Sequence, residues 1–409
     1  GWDRSLLDGE ATEPRLLSPI NVPTLGLTAN QSLLRFRRIR DQETNIWTGR
    51  AEITGELMTG PVNHKPLIAF EARDISRDIE NENTNLLRQP DIVDITGSNF
   101  DTPEQAPTVV NATDNEITNY AVMAFDRIKP VDAVSFLVGG RLDIVDQTQN
   151  ANGNVTDVNE TEFSPTVGAV VRPVAWGSLF ARYAQSFETN TETNQNNQLL
   201  PPQEGESIEG GVRVNLNDGA FKGTLTVFNI ELENEPQPAG PNTFFSVPAT
   251  RESTGVEISL QGALTEQLSL IANYTYTDAE LSDVPGPRDG ERPPGVPEHA
   301  ANLFANYAID RGRMDGLTLN GGVVFNGDRL NANSQRVSAG QFPTFTVGGN
   351  ELDAYARLDL GASYKIQSWL DAGFKVKNVT DTNYSRPSTP GFTLPEPGRT
   401  FSGRVRLRF

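Results

Sequence analysis

The chain ends in the stretch Phe401-Ser-Gly-Arg-Val-Arg-Leu-Arg-Phe409, whose alternate residues form two sets of opposite character. Apolar residues and one glycine occupy the odd positions, while Arg404, Arg406 and Arg408 occupy even positions. Because successive side chains of a β-strand point to opposite faces, this strand has one apolar face and one cationic face. Such a strand suits the wall of a transmembrane β-barrel, with lipid outside and a wet lumen inside. An amphipathic edge strand of a soluble sheet is the alternative.

The same alternation recurs along most of the chain and predicts about sixteen strands. They lie at about 31–40, 47–57, 65–77, 116–128, 133–146, 162–172, 177–188, 206–216, 220–233, 250–263, 266–280, 298–309, 317–327, 354–365, 369–379 and 400–409. A tilted strand needs about 9–11 residues to cross a bilayer, and most of these are long enough. Residues 1–30 contain several prolines and no clear alternation, so they are predicted to be loop.

Short turns and long polar loops alternate between the predicted strands. Tight turns such as Asn217-Asp218-Gly219 join the two strands of each pair, and polar stretches such as 78–114 join one pair to the next. Trp176 and Trp369 each lie at a short turn, as an aromatic girdle requires. The predicted fold is therefore all-β: an antiparallel transmembrane β-barrel with short periplasmic turns and long extracellular loops.

Composition excludes several other classes of protein. Mean hydropathy is −0.42 and no apolar run reaches the length of about 18 residues that a membrane helix needs. The net charge of −19 argues against nucleic acid binding. There is no cysteine, and His64 and His299 stand far apart, so no metal centre is expected. We find no nucleophile elbow, phosphate loop or metalloprotease motif, and therefore expect no enzyme activity.

Several stretches resemble the C-terminal barrel of TonB-dependent outer-membrane receptors, in particular the ferric-siderophore (ferrichrome-like) branch. They are FSPTVGAVVRP (163–173), SLFARYAQSFE (178–188), LPPQEGESIEGGVR (200–213), TGVEI (254–258), VPEHA (296–300), KNVTDTNY (377–384) and the end of the chain from PGRT (397–400) to Phe409. Each stretch alone matches the family pattern only loosely. Their order and spacing along nearly the whole chain are specific to the family.

The resemblance implies a receptor for ferric siderophores in the outer membrane of a diderm bacterium. Family members carry an N-terminal plug and a TonB-contacting box ahead of a barrel of about 22 strands. Residues 1–409 show neither plug nor box, so they are expected to be an N-terminally truncated barrel domain. The implied partners are a ferric siderophore, the TonB-ExbB-ExbD complex (through the plug), and outer-membrane lipid with lipopolysaccharide. No further cofactor is expected.

Ligand recognition in such a receptor would lie at the extracellular mouth. Large iron chelates are held by aromatic and cationic side chains, through stacking, apolar contact and charge pairing. The predicted loops offer Phe244, Phe245, Arg251, Arg329, Arg336, Tyr384, Arg386 and Phe392 as candidates. Each of them could instead pack only within its own loop.

Two other functions remain open at this stage. About sixteen strands would also make a passive diffusion porin with an aqueous channel. A soluble extracellular adhesive β-protein is the third possibility, and solubility of the protein without detergent would favour it over both barrels.

Overall fold

A computed structural model of the chain describes most of its residues. Backbone is described for residues 2–16, 32–83, 91–94, 109–238, 246–284, 288–331, 335–337, 345–347, 351–387 and 393–408. Side chains are described within 39–82, 110–237, 246–284, 288–331, 351–387 and 393–408. No helix in these ranges is long and apolar enough to cross a membrane.

The described residues form β-strands and two short 3-10 turns. The strands are β1 (Trp2–Leu16), β2 (Ser32–Thr54), β3 (Leu57–Thr59), β4 (Val62–Asn83), β5 (Asp91–Asp94), β6 (Val109–Val131), β7 (Val134–Ala151), β8 (Asn154–Val174), β9 (Gly177–Glu188), β10 (Gln203–Leu216), β11 (Phe221–Pro238), β12 (Ser246–Ala263), β13 (Leu268–Ser282), β14 (His299–Ile309), β15 (Leu317–Asn326), β16 (Arg329–Leu330), β17 (Gln335–Val337), β18 (Phe345–Val347), β19 (Glu351–Leu352), β20 (Tyr355–Gln367), β21 (Leu370–Lys377), β22 (Ser385–Arg386), β23 (Leu394–Pro395) and β24 (Thr400–Leu407). The 3-10 turns are Asn217–Gly219 and Gly312–Met314.

One antiparallel sheet of 18 strands contains all the long strands. Two of its members, β3 and β5, are short additions beside β4 and β2, and the other sixteen form a wall. Each wall strand pairs with the next in the chain, from β1 through β2, β4 and β6 to β15, β20, β21 and β24. Within the described residues no pairing joins β24 back to β1.

The wall has one edge of short turns and one edge of long connections. Turns of a few residues follow β3, β6, β8, β10, β12, β14 and β20, and we call this side the turn edge. The opposite side, where β4, β9, β11, β13, β15 and β21 end, is the loop edge, and there most connections to the next wall strand are longer, with the two-residue β7–β8 turn as an exception. This asymmetry is the predicted one, and it is typical of outer-membrane barrels.

The outer face of the wall is apolar and solvent-exposed. Val405 is 70% exposed, Ile53 79% and Ile68 60%, and aromatic residues including Trp176 and Trp369 lie on the same surface. A soluble sheet would bury side chains of this size. Exposure of this kind is typical of the lipid-facing surface of a membrane barrel, and Phe401, Val405 and Leu407 lie on this outer face, as predicted.

The inner face is polar and includes flat contacts between glycine and aromatic rings. Gly255 lies against the ring of Phe228, and Gly322 lies against the ring of Phe304. A Cβ atom on Gly255 would come within 2.2 Å of the Tyr276 carbonyl oxygen and 2.6 Å of the Phe228 ring. Glycine is therefore required at 255, because any side chain would displace the neighbouring strands.

Four local predictions were wrong, each for the same reason. The polar loop predicted at 78–114 is partly strand, because β4 continues to Asn83, β5 covers Asp91–Asp94 and β6 begins at Val109. Residues 2–16 form β1 rather than loop, and the separate strands predicted at 31–40 and 47–57 are the single strand β2. The predicted loop between 146 and 162 is the far end of the β7–β8 hairpin, closed by the two-residue turn Asn152-Gly153. Where strands extend beyond the lipid, both faces are polar, so the alternation that marks a strand in sequence is absent.

Candidate functional site

A buried charge cluster lies on the inner face of β2, β4, β6 and β7. The guanidinium of Arg141 donates to both carboxylate oxygens of Asp143 at 2.7–2.9 Å and to Glu71 at 3.1 Å. Asn119 donates a further hydrogen bond to Asp143 at 3.0 Å, and Arg50 approaches Glu71 at 3.8 Å. Asp143 is only 3% exposed, so its charge depends on these partners. We call these five residues the Arg141 cluster.

A second charge cluster lies on β20 and β21, near the other end of the sheet. Asp359, which is 4% exposed, accepts from Arg357 at 3.1 Å and from the backbone N–H of Asn378 at 3.0 Å, and Lys375 lies 3.8 Å away. Arg357 also donates to the Tyr384 hydroxyl at 3.1 Å. These bonds connect the inner wall to the loop-edge segment that carries Tyr384.

The arginines of the last strand lie on the inner face, as the alternation predicts. Asp371 of β21 is 2.9 Å from Arg408 and 3.9 Å from Arg404. Asp371 stands opposite Arg406 in the β21–β24 register. Arg404 and Arg408 of the last strand therefore form ion pairs with Asp371 on the inner face.

The predicted ligand residues whose side chains the structure describes all contact other residues of the chain. Arg251 pairs with Glu235, and Arg386 pairs with Glu396. Arg329 is 6% exposed, donates to the carbonyl of Ser385 and lies over the ring of Tyr355. The ring of Tyr384 stacks on Tyr355 with centroids 4.3 Å apart.

Arg329 and Tyr384 thus come together around Tyr355, whereas Arg251 lies apart on β12. Phe244, Phe245 and Phe392 lie outside the described residues. Arg336 belongs to β17, of which only the backbone is described. Binding by any of these eight residues stays a prediction.

Three arginines that the sequence-based selection missed lie on the inner face nearer the loop edge. They are Arg73, Arg77 and Arg40, and we call them the arginine ladder. The unbroken β2–β4 register places Arg73 opposite Thr48, Arg77 opposite Thr44, and Arg40 opposite Asn81. The available signal was the four-residue spacing of Arg73 and Arg77, which puts both on one face of a strand.

The opposite face of the same strands is acidic above the apolar band. It carries Asp41, Glu43, Asp74, Asp78, Glu80, Glu82, Asp114, Glu116 and Asp146. Asp78 stands directly between Glu43 and Asp114 in the register. Partial burial, then the charges of Asp114 and Glu43, raise the pKa of Asp78 above its ordinary value. The wall here separates an anionic outer face from a cationic inner face.

No group of three or more histidines, aspartates or glutamates within the described residues is placed to hold a metal ion. The described charged and aromatic side chains of the wall could still contact a ligand through ion pairs and ring stacking.

The profile described as "TonB dependent receptor-like, beta-barrel" matches residues 13–379, which is most of the chain. The chain belongs to the TonB-dependent receptor family. This is a family of receptors and transporters, and the resemblance seen in the sequence is confirmed.

Two curated relatives show how the chain compares with whole receptors. The metal-pseudopaline receptor CntO of Pseudomonas aeruginosa is 27% identical over 388 residues, covering 92% of this chain and 52% of its own length. The ferrichrome outer membrane transporter/phage receptor of Escherichia coli is 30% identical over 258 residues, covering 62% of this chain and 33% of its own length. The chain spans about half the length of the first of these relatives and about a third of the length of the second.

Solved structures share the fold over the whole chain. The ferric-catecholate import receptor Fiu of E. coli superposes with a TM-score of 0.78 at 19% identity, covering 100% of this chain and 61% of the other. The siderophore receptor PiuA of Acinetobacter baumannii gives 0.77 at 20% identity, covering 99% of this chain and 60% of the other. At such identities the likeness speaks for the fold alone.

Proposed function

We propose that residues 1–409 form the barrel wall of an outer-membrane receptor that imports ferric siderophores by a TonB-dependent mechanism. The observation that carries this proposal is the family match over 13–379, together with a wall that is apolar outside and charged inside. Three relatives are named as the metal-pseudopaline receptor, the ferrichrome outer membrane transporter/phage receptor and the ferrioxamine B receptor.

Import in this proposal proceeds through the lumen. The ferric chelate binds at the loop edge, and the TonB-ExbB-ExbD complex pulls on a plug in the lumen to open a path. The inner-face charge clusters suit a lumen that binds another polar surface, because their carboxylates and guanidiniums point away from lipid. The outer face would contact outer-membrane lipid and lipopolysaccharide.

The wall of sixteen strands does not favour a passive porin over a receptor. Strand count alone would allow an aqueous channel. The family match and the names of the relatives support active import instead.

Iron-limited growth tests the proposal. The whole receptor would be expressed in a diderm bacterium that lacks its own siderophore receptors, supplied with ferrichrome, ferrioxamine B, ferric citrate or a ferric tris-catecholate. We expect growth on at least one chelate, and loss of that growth when TonB is deleted. Growth that persists without TonB would favour the porin, and no growth on any chelate would reject siderophore import.

A further inference from the structure

We propose that the arginine ladder is a docking track for an anionic metal chelate on the inner wall of the barrel. This inference rests on the proposed import function and specifies the class of chelate: one with net negative charge, as in a tris-catecholate or a carboxylate-rich complex. A neutral tris-hydroxamate would gain little from it.

The ladder faces the interior. Arg73 and Arg77 share one face of β4 with Glu71, whose carboxylate binds Arg141 on the inner wall. Further along the same face of the neighbouring strands, Gln147 and Gln149 of β7 donate to backbone carbonyls of the 189–202 segment, which folds over them. The other face of β4 carries the exposed lipid-facing residues Ile68 and Phe70.

On the loop-edge side of the Arg141 cluster, β2, β4, β6 and β7 have no carboxylate among their described inner-face residues. Between the Arg141 cluster and the loop edge, the described inner-face residues of β2, β4, β6 and β7 are neutral apart from the ladder itself. Arg77 stands between Thr44 and Asn115, and Arg73 stands between Thr48 and Asn119. The backbone register puts Gly9 of β1 opposite Arg40.

The nearest inner-face carboxylate is already neutralised. Glu71 is two residues from Arg73 on the same face, but it is paired with Arg141 at 3.1 Å and with Arg50 at 3.8 Å. Among the described residues, Nε of Arg40 and Nε of Arg77 have no hydrogen-bond partner. Buried polar atoms are usually paired, so these two unpaired donors set Arg40 and Arg77 apart from the ion-paired Arg141.

The spacing forms a path rather than a single point. Four residues of strand rise about 13 Å, so Arg73, Arg77 and the level of Arg40 beside Asn81 mark successive steps toward the loop edge. All the acids of these strand segments lie on the outer face, where they repel an anion from the outer surface. On β2, β4, β6 and β7, an anion that enters from the loop edge therefore meets the arginines on the inner face, while the acids of these segments lie on the outer face.

Guanidiniums suit such a ligand chemically. They donate planar pairs of N–H bonds to carboxylate or catecholate oxygens, and these charge-assisted bonds are stronger than neutral ones. The amide-rich 189–202 segment, which contains the single acid Glu192, lies over β7, two strands from β4 in the same wall, and adds neutral hydrogen-bonding groups.

Binding of chelates of different charge tests the proposal. The whole receptor, purified in detergent, would be titrated with a ferric tris-catecholate (anionic) and with ferrichrome (neutral), with tryptophan quenching as the readout. Variants Arg73→Gln and Arg77→Gln are compared with Arg292→Gln, which removes the same charge from a loop-edge arginine paired with Glu298. Arg77→Lys keeps the charge.

We expect each ladder substitution to weaken binding of the anionic chelate about tenfold, the effect of one hydrogen bond to a charged group. Arg292→Gln should change it less than about twofold, Arg77→Lys should restore part of the loss, and added salt should weaken anionic binding more than neutral binding. Ferrichrome binding as tight as that of the tris-catecholate would overturn the inference. So would an equal loss for both chelates in the ladder variants, because the arginines would then hold the receptor together instead. If neither chelate binds the parent receptor and the growth assay is also negative, the proposed import function fails as well.

Discussion

Replacing Arg141 with methionine should destabilise the barrel because it leaves a buried carboxylate without its main partner. Asp143 is 3% exposed and accepts three contacts from the Arg141 guanidinium, while Glu71 accepts a fourth at 3.1 Å. Methionine keeps an unbranched side chain and removes the guanidinium, with its charge and its hydrogen bonds to Asp143 and Glu71. After the change, Asp143 keeps the Asn119 amide, and Glu71 keeps Arg50 at 3.8 Å.

The magnitude follows from how deeply each partner is buried. Removing one member of a buried ion pair costs about 3–5 kcal/mol. The Arg141 side chain is 29% exposed, so water in the lumen recovers part of this, and we expect a loss of about 2–4 kcal/mol in the free energy of unfolding. Arg50→Met is the control, since Arg50 and its partner Glu52 are 43% and 49% exposed and such pairs contribute less than about 1 kcal/mol.

Urea unfolding of the refolded receptor in detergent micelles, followed by tryptophan fluorescence, measures the difference. The double variant Arg141→Met with Asp143→Leu should recover most of the loss, because an apolar pair of similar size leaves one fewer uncompensated charge. If Arg141→Met costs no more than Arg50→Met, or if the second substitution restores nothing, the carboxylate of Asp143 does not depend on Arg141 and our reasoning is wrong.

Three further predictions concern the wall itself. Gly255→Ala should cost about 1–3 kcal/mol, because its Cβ would overlap the Tyr276 carbonyl, whereas Gly403→Ala, with nothing within 4 Å, should change unfolding by less than about 0.5 kcal/mol; equal urea midpoints would contradict this. Val227→Arg on the lipid face should cost about 2–4 kcal/mol and Thr226→Arg on the inner face much less, as measured by folding into lipid vesicles, and a reversed order would exchange the two faces. The pKa of Asp78 is raised, so its charged form destabilises the fold above that pKa; Asp78→Asn should raise the urea midpoint at neutral pH, with the advantage vanishing as pH falls through the folded pKa toward the ordinary value, and a pH-independent difference would exclude this cause.

Much of the barrel could be read from alternation alone. The period of two assigns Val405 to lipid and Arg404 to the interior without any coordinates, and the structure places them so. The count of sixteen wall strands also agrees, although β1 was missed and two predicted strands are one, so the agreement in number partly conceals two compensating errors.

The candidate site was much less accessible from sequence. Choosing aromatic and cationic residues in loops selected Arg251 and Arg386, which the structure finds paired with Glu235 and Glu396. The ladder arginines were passed over because candidates were taken only from predicted loops, and these arginines lie on predicted strands.

The sequence by itself determined the face that each strand residue occupies, because pleating sends neighbouring side chains to opposite sides whatever the strand pairs with. Only the tertiary structure decided which residues from different strands meet. The register brings Glu71 beside Arg141, seventy residues away, and leaves Arg77 between Thr44 and Asn115. A shift of one residue in that register would send every side chain of the strand to the other face. The strand register, rather than the alternation in the sequence, therefore decides which charged side chains form ion pairs.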